Sequence, residues 1–264
     1  MQTFEGQTVW VTGASSGIGE ALAYELNHRG AELVISARRE EKLEQVKANC
    51  WEPSRVYVVP LDLADFEALP DKVQQVEDIL GSVDFLFNNG GVSQRSHAVE
   101  TDFDVVRKVM DINFFGTVRL TQLVLPSMLE RQKGHIVVTS SVTGKFGTQL
   151  RSTYAASKHA LHGYFDSLRE EVYDKNVHVT LVCPGFIRTN VTKNALTGDG
   201  DKLNEMGEGQ KEGMSPEKFV QKLLPKIEKR KPEVYIGGFE VVAVYLKRFF
   251  PRLLRWGLRR MDVT

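Results

Sequence analysis

Val9-Trp10-Val11-Thr12-Gly13-Ala14-Ser15-Ser16-Gly17-Ile18-Gly19 is the stretch whose reading decides the fold. Gln7 to Val11 is apolar enough to form a short strand buried on both faces. It runs through a glycine loop into a pattern with Ile18, Leu22 and Leu26 at helical spacing. Strand, glycine loop and helix in that order are the context of a dinucleotide-binding turn. Gly13 allows the tight turn, Gly17 lets a pyrophosphate approach the backbone, and Gly19 lets helix and strand pack closely. Ser15, Ser16 and Ile18 surround the helix N-terminus, which faces the phosphates. The spacing is G-x-x-x-G-x-G rather than G-x-G-x-x-G. A glycine loop alone is also an ordinary turn; the flanking strand and helix make cofactor binding the better reading.

Leu33 to Ser36 reads as the second strand and ends at Ala37-Arg38-Arg39. A site for NAD places an acid roughly 20 residues past the glycines to bond the ribose 2′-hydroxyl. Neither Ser36 nor Ala37 supplies one. Arg38 and Arg39 instead offer guanidiniums that match a 2′-phosphate, which points to NADP(H). The plain alternative is a solvated charge pair opening the next helix, Glu40 to Asn49.

Val56 to Leu61, closed by Asp62-Leu63, is expected as the third strand, and Val83 to Phe87, closed by Asn88-Asn89-Gly90-Gly91, as the fourth. Helices are expected over Asp65–Leu80, Thr101–Asn113 and Gly116–Gln132. His135–Thr139, Val177–Cys183 and Glu233–Ile236 complete seven strands, with a helix from near Tyr154 to Lys175 between the fifth and sixth. Strands alternating with helices imply an α/β fold: one Rossmann-type doubly wound domain, a parallel sheet in the order 3-2-1-4-5-6-7 with helices on both faces. Ligands bind at the carboxyl ends of such strands, where Thr12, Arg38, Asp62 and Asn89 all fall.

Tyr154-Ala-Ala-Ser-Lys158 places a phenol and an ammonium one helical turn apart on one face. A neighbouring cation favours phenolate and moves a tyrosine toward proton transfer at neutral pH. Chance produces the same pair in many helices, so its weight comes from its neighbours. Asn113, inside apolar Ile112-Asn113-Phe114-Phe115, either caps or kinks a helix or marks a distortion that exposes a carbonyl. Thr192 to Gly213 is polar, glycine-rich and poorly periodic, the pattern of a lid or of a long surface loop.

Thr12-Gly13-x-x-x-Gly17-x-Gly19, Asn88-Asn89, Asn113, Ser141, Tyr154-x-x-x-Lys158 and Pro184-Gly185, in this order, resemble the short-chain dehydrogenase/reductase family over about Gly6 to Ile236. Asn88 to Ser96 and Ala155 to Leu161 look most like its member-seven branch, and Gly90 departs from the family's usual Asn-Asn-Ala-Gly. The resemblance implies that Tyr154 is general acid or base, that Lys158 lowers its pKa and holds the nicotinamide ribose, and that Ser141 bonds the substrate oxygen. It implies a water held at Asn113 as a relay to solvent. It places Asp62 and Leu63 at the adenine end, Asn89 and Gly90 at the adenine ribose, and Pro184, Gly185, Ile187 and Thr189 along the nicotinamide. It also implies a homodimer or homotetramer. The fold equally hosts NADP(H)-binding regulators without turnover, but those lack the Tyr, Lys or Ser that are all present here.

The candidate substrate contacts, Ser93, Gln94, Ser141, Val142, Phe146, Gln149, Tyr154 and Phe186, are mixed to apolar with no fixed charge. They favour a lipophilic alcohol or ketone over a sugar phosphate or an acid; steroid- or retinoid-like substrates follow from the branch resemblance only. Lys+Arg 34 balance Asp+Glu 34, which gives no overall electrostatic case for nucleic acid. Two cysteines, Cys50 and Cys183, far apart in sequence, fit a reducing cytoplasm, and no metal is expected. Residues 1–238 form the expected catalytic domain, with a substrate loop near 189–214, and 239–264 a basic extension. From Tyr245 to Arg260 there are six cations and no acid. Arg248, Arg252, Arg255 and Arg259 share one helical face, with Leu246, Phe249, Phe250 and Leu253 largely opposite and Pro251 breaking the helix. Such a segment suits peripheral membrane contact through 241–260, or packs on its own domain, covers the pocket, or meets another subunit.

Overall fold

The computed structural model describes residues 4–205, 207 and 211–260. Seven strands form one parallel sheet: β1 (Thr8–Thr12), β2 (Glu32–Ser36), β3 (Val56–Val58), β4 (Phe85–Asn88), β5 (Gly134–Thr139), β6 (Val177–Pro184) and β7 (Glu233–Ile236). Their order is β3-β2-β1-β4-β5-β6-β7. The order reverses between β1 and β4, and it is at such a switch point that a crevice opens beyond the strand ends.

Each strand feeds both faces of the sheet. Val9 and Val11 enter a core with Leu22, Leu26, Phe219 and Leu223, from helices α1 (Gly17–His28) and α7 (Pro216–Glu228). Trp10, between them, enters the opposite core with Leu86, Leu120 and Phe165. That core is covered by α3 (Leu69–Leu80), α5 (Gly116–Arg131) and α6 (Ser152–Glu171). Trp10 is fully buried, and its indole N–H donates to Ser36 Oγ at 2.9 Å. The remaining helices are α2 (Glu40–Ala48), α4 (Phe103–Met110), α8 (Val242–Phe249) and α9 (Pro251–Leu258).

Several expected boundaries shift for local reasons. The third strand stops at Val58 instead of Leu61 because Pro60 has no N–H, although Val59 N and Leu61 N still donate to Ile35 O and Ala37 O. The helix expected from Asp65 starts at Leu69, where Pro70 suits the first turn. The helix carrying Tyr154 ends at Glu171 rather than Lys175, and Asn176 closes the turn in a left-handed conformation, φ 53°.

The helix expected over Thr101–Asn113 is α-helical only to Met110. Asp111–Phe115 is then a π-helical segment joining α4 to α5, with Asn113 at its centre. A π-turn inserts one residue into the helix and rotates the backbone groups around it.

The segment after β6 is pinned rather than free over its described residues. Arg95 N donates to Leu196 O (2.8 Å) and Leu196 N to Ser93 O (2.9 Å), while Ala195 and Leu196 are buried. The C-terminal extension folds back onto the domain. Pro251 restarts the helix after Phe250, whose backbone is non-helical. Leu254 packs with Val142 and Phe146 and is buried, whereas Phe249, Phe250 and Leu253 stay exposed instead of forming the seated face.

Candidate active site

One cavity of about 1410 Å³ lies along the carboxyl ends of the strands. Its coenzyme half is made mostly of backbone. Gly13 (φ 66°) and Gly17 (φ 61°) take conformations that side chains disfavour, and a Cβ on Gly13 would sit 2.7 Å from Gly90 Cα. A Cβ on Gly17 would meet Thr189 Cγ2 at 2.9 Å, which ties the glycine loop to the far wall. Gly19, expected among the cofactor-binding residues, lines no part of the cavity; it packs against Gly13 O, where a Cβ would not fit.

Thr12 Oγ1 fixes the loop after β4 by accepting from Asn89 N (3.1 Å) and Gly90 N (3.0 Å). The Asn89 amide donates to Thr12 O (3.2 Å) and its carbonyl accepts from Thr139 Oγ1 (3.3 Å), so it holds three strand ends together. Ser15, Ser16, Ile18, Arg38, Arg39, Asp62, Leu63, Pro184, Gly185, Ile187 and Thr189 also line the cavity. Arg38 and Arg39 are exposed, and their side chains make no hydrogen bond or ion pair among the described residues. This half therefore fits a nicotinamide dinucleotide: a cradle without Cβ atoms for the phosphates, and two free guanidiniums at the second strand end.

The floor brings together Ser141, Tyr154 and Lys158. Ser141 Oγ accepts from Thr143 N (3.2 Å) and Thr143 Oγ1 (2.9 Å) at the tip of a short 3-10 turn. Both bonds leave its own hydroxyl proton to be donated elsewhere, and Tyr154 is within its reach. Burial pushes the Tyr154 phenol above its ordinary range, and the Arg151 guanidinium and the Ser141 hydrogen bond pull it back. The expected source of that pull was Lys158. Lys158 instead donates to Thr139 O at 2.8 Å, with its Nζ 5.8 Å from the Tyr154 ring centre, and burial lowers it to about 8.

The Asn113 side chain is fully buried and does not reach the cavity. Its Oδ1 accepts from Val92 N (2.8 Å), and its Nδ2 donates to Val92 O (2.9 Å) and Ser157 Oγ (3.0 Å). The backbone distortion read from the sequence is present as the π-turn, so any part Asn113 plays toward the site runs through its backbone or through the loop it braces.

Among the expected substrate contacts, Ser93, Val142, Phe146 and Phe186 line the cavity. Gln94 and Gln149 do not. Gln94 is buried and donates to Ser96 O (3.0 Å) and Ser96 Oγ (2.7 Å), while Gln149 is exposed outside. Two features were missed. Arg151 lines the cavity one turn before Tyr154, so the substrate region does carry a fixed charge. The C-terminal extension supplies Leu246, Leu253, Leu254 and Trp256 to the wall, and Glu240 Oε1 accepts from Phe186 N (2.7 Å) and Gly238 N (2.9 Å). The three-residue spacing Arg151–Tyr154 was a usable signal; no local pattern announced where the extension would dock.

A family profile described as short chain dehydrogenase matches residues 7–199. The chain belongs to the short-chain dehydrogenase family. This family member is 42% identical over 98% of its length to a Drosophila melanogaster dehydrogenase/reductase SDR family protein 7-like, covering 81% of that relative. It is 40% identical to the Homo sapiens dehydrogenase/reductase SDR family member 7, over 96% of this chain and 77% of the human one. A short-chain dehydrogenase from Streptomyces avermitilis superposes with a TM-score of 0.83 at 30% identity, over 96% and 97% of the two chains. A Burkholderia phymatum short-chain dehydrogenase/reductase, solved in complex with NAD, shares the fold at 23% identity and the same TM-score, over 96% of each chain. Short-chain dehydrogenases are oxidoreductases, and this chain shares that family's nucleotide-binding fold.

Proposed function

We propose that the protein is an NADP(H)-preferring oxidoreductase that interconverts a carbonyl and a secondary alcohol on a small, largely apolar substrate. The observation that carries this reading is the convergence of Ser141, Tyr154 and Lys158 in a cavity whose other half is a glycine-lined backbone cradle. The coenzyme supplies or takes the hydride. Tyr154 gives its proton to the nascent alkoxide in reduction and removes it in oxidation, and its raised pKa keeps the phenol protonated and ready to donate at neutral pH. Ser141 donates to the same oxygen as negative charge builds there. Lys158, desolvated and near neutral titration, positions the ribose and supplies a second route for the proton. Coenzyme choice rests on Arg38 and Arg39, whose guanidiniums have no partner among the described residues; the NAD seen in the Burkholderia relative accompanies a different chain.

Two further parts of the proposal concern surroundings. Exposed Phe103 and Phe115, on α4 and the π-turn, support self-association through the helices flanking the site. Exposed Tyr245, Phe249, Phe250 and Trp256, beside six cations without an acid, fit an anionic bilayer surface at the cavity mouth. No helix among the described residues is long and apolar enough to cross a membrane. Sedimentation with phosphatidylserine vesicles should pellet the full chain and leave a chain ended at Phe239 in solution; equal pelleting of both removes the membrane part.

The main test is a panel of ketones and secondary alcohols followed by coenzyme absorbance with NADPH and NADH. Turnover of several panel members with NADPH, and at least about tenfold weaker binding of NADH, is the expected result. A chain that binds NADPH but turns over no member of the panel contradicts the reading.

A further inference from the structure

Arg151 occupies a place that costs free energy unless an anion joins it. Its side chain is half-buried and lines the cavity beside Tyr154. Among the described residues it has no hydrogen-bond or ion-pair partner. It stands at the N-terminus of α6, a 20-residue helix whose positive end disfavours a cation. Arg95 adds like-charge repulsion, and desolvation pushes the guanidinium pKa down. Every local contribution except the Tyr154 hydroxyl is therefore unfavourable to the charge.

The backbone nevertheless holds it there. Leu150, immediately before it, has φ 62°, a conformation rare for a branched side chain, and its carbonyl accepts from Ser96 N at 3.0 Å. Three acids line the cavity, and none pairs with Arg151 among the described residues. Glu240 is taken by two backbone N–H groups, Asp62 lies at the coenzyme end, and Glu212 is exposed. The same cavity is lined by apolar Leu246, Leu254 and Trp256 of the extension and by Phe146.

We propose that the substrate is an amphiphilic acid: a keto acid, or the matching hydroxy acid, whose carboxylate pairs with Arg151 while its carbonyl oxygen meets Tyr154 and Ser141. The planar guanidinium fork matches a carboxylate in two parallel hydrogen bonds, and its single charge balances the single charge of that group. Arg151 precedes Tyr154 by three positions, so the acid lies only a few bonds from the reacting carbon, and the apolar remainder runs along the extension. The carbonyl carbon receives hydride from the reduced coenzyme and its oxygen takes the Tyr154 proton. One ketone, one NADPH and one proton thus give one alcohol and one NADP⁺. The inference rests on the oxidoreductase reading and names its substrate class.

The test compares 4-oxononanoate with its methyl ester in NADPH oxidation by the full chain, in the wild type and in Arg151→Met and Arg151→Lys. Arg151 also bears on the Tyr154 proton, but both compounds use that proton, so the acid-to-ester ratio of kcat/KM isolates recognition. The wild type should favour the acid by about 30-fold or more, Arg151→Met should bring the ratio to within about threefold of unity, and Arg151→Lys should fall between. Equal use of acid and ester by the wild type, or an unchanged ratio in a folded Arg151→Met, overturns the inference and leaves the oxidoreductase reading standing. If Arg151→Met fails to fold, the wild-type ratio alone decides. Oxidation of NADPH with neither compound and with no neutral ketone sinks both.

Discussion

The two halves of the cavity are built by different means. The coenzyme half uses backbone: glycines without Cβ atoms, strand ends in register, and Asn89 pinning three of them. The substrate half uses side chains from three distant segments: Phe146 and Arg151 before and at the start of α6, Phe186 after β6, and the wall from α8 and α9. A backbone site depends on spacing, and spacing is fixed over a few residues. A side-chain site depends on which segments happen to pack together. The coenzyme half should therefore be sensitive to single changes at the loop, and the substrate half should change specificity without disturbing the coenzyme.

Arg38→Asp strikes the coenzyme half at one of its two guanidiniums. It removes a partner for the 2′-phosphate and adds a repelling charge, so the NADPH-to-NADH preference in a binding titration should fall by about 100-fold. Loss of affinity for both coenzymes together would mean that Arg38 holds the loop rather than reading the phosphate. Leu254→Asp strikes the other half. A buried carboxylate between Val142 and Phe146 should detach α9, raise KM for an apolar carbonyl by about tenfold, and leave NADPH affinity within about twofold. An equal loss of NADPH affinity would erase the distinction between the halves.

Acid affects both halves from beneath. His162 is held down to about 4 by burial and then by Lys145, and His135 to about 3 by burial and then by His178. Each folded pKa lies below the free value near 6.5, so the unfolded chain binds more protons in that window. The stability contributed by these neutral rings is full above pH 6.5 and is lost as pH falls toward about 4 for His162 and about 3 for His135. Thermal unfolding from pH 7.5 to 4 should show Tm dropping by about 5 °C or more, and His135→Asn should flatten the curve. A Tm unchanged down to pH 4 would mean that the two rings charge freely in the fold.

The same contrast explains what the sequence allowed to be read. The sheet order, the glycine loop and the Tyr154–Lys158 turn lie in short, regularly spaced stretches, where period and turn chemistry decide structure. Asn113 was singled out, but its side chain faces inward to Val92 and Ser157 because a π-turn rotates it, and helical spacing assumes no such insertion. Of the expected substrate contacts, Gln94 is buried with Ser96 and Gln149 faces outward, because neither lies in a regularly spaced element that fixes its direction. In the extension, amphipathic spacing pointed to Leu246, Phe249, Phe250 and Leu253 as one face. Leu246 packs on the domain together with buried Leu254, while Phe249, Phe250 and Leu253 stay exposed, since Pro251 restarts the helix between them.

The claim on which the rest depends is that Tyr154 moves the proton while the coenzyme half works independently of it. Tyr154→Phe removes only the phenol oxygen. With an accepted ketone and NADPH carrying deuterium at the transferable position, deuterium should reach the carbinol carbon in the wild type. In Tyr154→Phe the turnover should fall by about a thousandfold, with the NADPH dissociation constant unchanged within about twofold. Wild-type turnover in that variant, or a matching collapse of NADPH binding, would contradict the account.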